Sequence, residues 1–131
     1  MAEVTTVESA LLRLTGMRFC SEYEIAREGA DCEIAVYNIL RQKGEDERVR
    51  LAGIRLPASA VVSLFNRHGL SGWDGFVGPH PEDVLDGIMF RFQASVDGGK
   101  TIRAEGSENF PEGFSSFCRD LDALLATGSE N

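Results

Sequence analysis

Two histidines, three cysteines and a run of carboxylates are the side chains from which this sequence would have to assemble a reactive centre. His80 stands between Pro79 and Pro81, which stiffen the backbone on both sides and hold the imidazole in a defined direction. That arrangement suits a general base or a metal ligand. A base also needs a nucleophile or an acidic partner within reach, and no GxSxG, HExxH or cysteine-containing signature supplies one. The plain reading of His80 is therefore an exposed loop side chain. Asp83 and Asp86 would share one face of a helical turn and, with Glu82, approach a hard cation. The D-x-D-x-D-G spacing of a calcium loop is missing, however, and the glycines form neither GxGxxG nor GxxxxGK[ST]. The expectation is no metal, no cofactor and no catalytic residue. His68, near the end of an expected helix, is accounted for by the negative end of the helix dipole.

These groups fall mostly in residues 69–87, a segment without clear period that carries the only tryptophan, four carboxylates and no Lys or Arg. Structureless segments of that length are uncommon in compact domains. One reading is a binding loop with Trp73 and Phe76 as anchors and Asp74, Glu82, Asp83 and Asp86 as a polar rim. The other is that Trp73, Phe76, Val77 and Leu85 fold back over one end of the core, the glycines allowing the bends. The candidate ligand- or partner-binding set is Trp73, Asp74, Phe76, His80 and Asp86.

At 131 residues, 43% of them hydrophobic, the chain has the material for one core and one domain spanning 1–131. Its 21 acidic against 13 basic residues give a net charge of −8, which repels nucleic acid and anionic membrane surfaces. The basic residues Arg41, Lys43, Arg48 and Arg50 are interleaved with Glu45, Asp46 and Glu47, which describes a solvated hairpin end and not a stripe that tracks phosphates. No apolar run is long enough to span a bilayer and no secretory signal opens the chain, so a cytoplasmic protein is expected. Cys20, Cys32 and Cys118 are far apart and in no CxxC pair, which fits reduced thiols, with a Cys20–Cys32 bridge across neighbouring strands as the alternative.

The elements follow from periodicity. Val4, Val7, Leu11 and Leu14, behind the capping box Thr5-Thr6-Val7-Glu8, predict a short N-terminal helix stopped at Gly16. From Met17 the period changes to two, with Met17, Phe19, Tyr23 and Ile25 on one face of a strand. Cys32 to Leu40 forms the second half of a hairpin. A third strand runs from Arg48 to Leu56, with a bulge or bend at Gly53. Pro57 opens a helix whose stripe is Val61, Leu64, Phe65 and His68. Ile88, Phe90, Phe92, Ala94 and Val96 alternate against polar neighbours, and their partner strand is Lys100 to Gly106. A three-residue loop Asp97-Gly98-Gly99 is needed to set Ala94 against Ile102 and Phe92 against Ala104, because a two-residue loop would turn the apolar faces apart. Phe114, Phe117, Cys118, Leu121, Leu124 and Leu125 trace the last helix, and Gly128 ends it. The fold class expected is α+β, a mainly antiparallel sheet of about five strands with helices packed on one face, in the order α-β-β-β-α-loop-β-β-α. The other face carries Arg18, Glu22, Glu24, Arg91, Gln93 and Ser95, interrupted by Tyr37 and Ile39.

Gly72-Trp73-Asp74-Gly75-Phe76, Val84-Leu85-Asp86-Gly87, Asp97-Gly98-Gly99 and Gly106-Ser107-Glu108-Asn109-Phe110-Pro111 before a helix resemble the pattern of a group of small uncharacterised bacterial proteins of Firmicutes type. In that group a hairpin and a short helix lead to a W-x-G-[FY] turn, a DG hairpin and a G-S-x-x-[FY]-P helix start. The resemblance spans residues 17–126. It implies a fold pattern and no chemistry.

Taken together, the sequence points to a non-enzymatic cytosolic binding or adaptor domain that recognises a protein or peptide through loop 69–87 or the open sheet face. A small-molecule-binding protein or hydrolase with a pocket near Trp73 and His80 is the alternative, and a homodimer formed through the exposed sheet is a third.

Overall fold

A computed structural model describes residues 3–42, 44–85 and 87–127. The chain opens with a four-strand antiparallel meander: β1 (Val7–Thr15), β2 (Cys20–Glu28), β3 (Asp31–Gln42) and β4 (Glu45–Pro57). Helix α1 (Ala58–Arg67) follows, then a 3₁₀ turn over Leu70–Trp73 and the short strand β5 (Phe76–Gly78). The hairpin β6 (Met89–Val96) and β7 (Lys100–Ser107) leads to α2 (Phe114–Thr127). All seven strands join one sheet in the order β4-β3-β2-β1-β6-β7-β5, antiparallel except where β5 runs parallel to β7.

The expectation of a sheet of about five strands with helices on one face, opened by a helix, is therefore corrected. The sheet has seven strands and is mixed, and residues 7–15 form its central strand. Their i, i+3 spacing has a local cause: the β1–β6 register slips between Val7 and Ser9, so Glu8 is passed over and Val7 shares burial with Ala10 and Leu12. Pairing on both edges then overrides a modest helical tendency. The expected capping residues serve elsewhere. The Asp97 carboxylate accepts from the backbone N–H of Thr5 (2.7 Å), the Thr5 hydroxyl (2.7 Å) and the N–H of Thr6 (3.1 Å), while Glu8 accepts from Gly98 N–H (3.1 Å). Met17 and Phe19 lie in the β1–β2 turn, exposed, and not on the face shared by Tyr23 and Ile25.

Cross-strand pairs build the core. Leu12 lies between Tyr23 and Phe92, and Ala10 between Ile25 and Ala94. Ala94 opposes Ile102 and Phe92 opposes Ala104 across a three-residue turn, the register that buries both faces together. In that turn the left-handed residues are Asp97 (φ 53°) and Gly98 (φ 75°), with Gly99 at φ 140°. Val61, Leu64 and Phe65 of α1 and Phe114, Phe117, Leu121 and Leu125 of α2 pack onto this layer. The Tyr23 hydroxyl donates to Asp122 over 2.6 Å and ties β2 to α2.

The bulge on β4 falls at Leu51, where Val36 pairs with Ala52 and Tyr37 with Arg50. Gly53 answers a different need, since a Cβ there would collide with the guanidinium of Arg50, which reaches Glu33 at 3.7 Å. All three cysteines are free. Cys20 begins β2, whereas Cys32 pairs with Arg27 at the far end of the same hairpin, so no bridge between them is geometrically open. None of the helices among the described residues is long and apolar enough to cross a membrane.

Candidate functional site

Alternation along the strands sends Leu11, Arg13 and Thr15 of β1 and Met89, Arg91 and Gln93 of β6 to the sheet face away from the helices. Register then sets Arg13 directly against Arg91, and Thr15 against Met89. Glu22 of β2 is the cross-strand neighbour of Arg13 on the other side. It is the buried carboxylate of this face, at 9% exposure, held by Arg48 Nε at 3.0 Å and by Arg13 Nη1 at 3.6 Å. Arg48 in turn lies over the Tyr37 ring, 3.7 Å from its centroid. Arg13 also donates Nε–H to Cys20 Sγ at 3.2 Å, a bond that raises the guanidinium pKa further above its ordinary value. Glu22 and Cys20 thus hold the Arg13 guanidinium toward β2.

Beside it, β5 and the turn after it form a wall. An open groove of about 430 Å³ runs between them, floored by Arg13, Thr15, Met89 and Arg91 and walled by Val77 and His80. Glu105, opposite Arg91 on β7, lies at its margin. Among the described residues Arg91 makes no ion pair within 4.0 Å. Exposed apolar side chains gather at the same end of the sheet: Met17, Val77, Met89 and Ile88, with Val77 at 69% and Met89 at 56% exposure.

The structure distributes the expected site residues differently. Trp73 is 1% exposed and packs against Phe92, Phe114 and Phe117 at 5.2–5.7 Å between ring centroids. Its indole N–H donates to the Glu112 carbonyl, so it covers the end of the core. Asp74 accepts from Arg103 N–H at 3.0 Å while Gly75 N–H donates to the Arg103 carbonyl. This pair docks the chain on β7 and starts β5. Phe76 is half-buried against Phe90. Asp86 lies outside the described residues. His80 is exposed at the groove wall, with Nε2 bonded to the Val84 carbonyl and Nδ1 2.7 Å from Ser107 Oγ. A carbonyl only accepts, so Nε2 carries a proton toward Val84. Both nitrogens are spent on holding the turn.

His80 and Asp74 line separate depressions, and Trp73 lines neither. Among the described residues no three His, Cys, Asp or Glu side chains converge as for a metal ion. Val77 and Leu85, expected to cover the core, point outward instead.

Sequence reasoning also missed a hydrogen-bonded Ser-His-Asp chain. Ser116 Oγ lies 2.9 Å from His68 Nδ1, and His68 Nε2 lies 2.7 Å from Asp120. Ser116 also donates to the Gly113 carbonyl at 3.1 Å. The hydroxyl is a helix-start fitting and lines none of the grooves described above; the three residues latch α1 to α2. The Arg13–Arg91 juxtaposition was missed because residues 7–15 read as helix, although Arg91 itself was assigned to the open face.

No protein-family model matches the chain, and no curated protein matches it.

Proposed function

We propose that this chain is a non-enzymatic binding domain that receives a protein or peptide partner on the open face of its sheet, at the end bordered by β5. The observation that carries this reading is the groove in which exposed Val77 and Met89 stand with Arg13 and Arg91, with exposed Met17 and Ile88 at the same end of the sheet. Apolar side chains with arginine among them are the composition of an interface centre, and an exposed apolar cluster on a domain of this size calls for a cover. Loop 69–87 then divides by role: its first half caps the core and its second half walls the groove.

The test is capture from a lysate of the source organism with wild type, a Val77→Ser/Met89→Ser variant and a Leu51→Ser control. Leu51 is exposed on the remote edge strand β4. A partner kept by wild type and by Leu51→Ser, and lost from the groove variant, supports the reading. Equal retention by all three, or no retention by a chain that light scattering finds monomeric throughout, overturns it. A concentration-dependent dimer broken by the groove variant would make the partner a second copy.

A further inference from the structure

We draw no further inference here: the strongest candidate, the Ser116–His68–Asp120 side-chain cluster between α1 and α2, is already accounted for as the latch between the two helices and lines none of the grooves described above, so that among the described residues nothing brings a substrate to its hydroxyl.

Discussion

The indole N–H of Trp73 donates to the backbone carbonyl of Glu112 over 2.9 Å, joining the segment after α1 to the approach to α2 across 39 positions of sequence. The ring is also edge-on to Phe92 and Phe117. Trp73→Ala should therefore lower unfolding free energy by about 3–5 kcal/mol. Trp73→Phe keeps most of the packing and should cost about 1–2 kcal/mol, chiefly for the carbonyl left unpaired. Urea unfolding checks both, and a loss below about 1 kcal/mol for the alanine variant would contradict the core-cap role.

The latch between the helices has a pH signature. Asp120 is held below the ordinary carboxylate range, first by its hydrogen bond to His68 and also by Arg67. A depressed folded-state value means the contribution is complete above the unfolded carboxylate's range and is lost as pH falls through the folded value. Asp120→Asn should thus be less stable than wild type at pH 7, with the gap narrowing as pH falls below the ordinary carboxylate range. A gap independent of pH would remove Asp120 from this role. Gly113, at φ 87° and pressed against the His68 carbonyl, should tolerate no Cβ; Gly113→Ala should destabilise the same junction.

Asp97 organises the N-terminal segment through three hydrogen bonds, led by the Thr5 N–H, and they hold its carboxyl below the ordinary range. Asp97→Ala should accelerate amide exchange at Thr5 and Thr6 by about tenfold or more while leaving β6 amides protected. Asp97→Asn retains an acceptor and tolerates the positive φ, so its exchange should lie between the two. As with Asp120, protonation at low pH removes this anchor, and wild type should then resemble Asp97→Ala. Unchanged exchange at Thr5 in the alanine variant would show that the segment is held by other contacts.

The thiols should separate by burial. Cys32 is fully enclosed and burial pushes its thiol up; burial, with Asp122 adding to it, pushes Cys118 up to about 12. Cys20 is half-buried on the open face. A maleimide at pH 8 should modify Cys20 in the folded chain and reach Cys32 and Cys118 only on unfolding. Simultaneous modification of all three would contradict the burial pattern.

The parts legible in sequence were those with an uninterrupted period. Phe90, Phe92, Ala94 and Val96 alternate cleanly and set the β6–β7 register; the stripes of α1 and α2 needed no partner to be seen. β1 was masked because the slip at Glu8 imitates helical spacing, and because Thr5 and Glu8 answer to a turn some ninety residues on. β5 has three residues and borrows its direction from β7, so no local pattern could announce it. Trp73 and Phe76 were legible as core cover, but Val77 and Leu85 were not legible as exposed. The groove rests on Arg13 and Arg91, distant in sequence and joined only by strand pairing; one misassigned strand was enough to hide it.

The position of β1 in the sheet has a consequence for biogenesis. As the chain emerges, β1 to β4 can pair through short turns, yet the second edge of β1 stays vacant until Met89–Val96 has been made. That edge is a template for any passing strand, and only a pairing of high sequence separation closes it. Nascent or prematurely terminated chains ending after α1 are therefore the species exposed to strand exchange and aggregation. The finished chain stores the cure for that hazard in its last third.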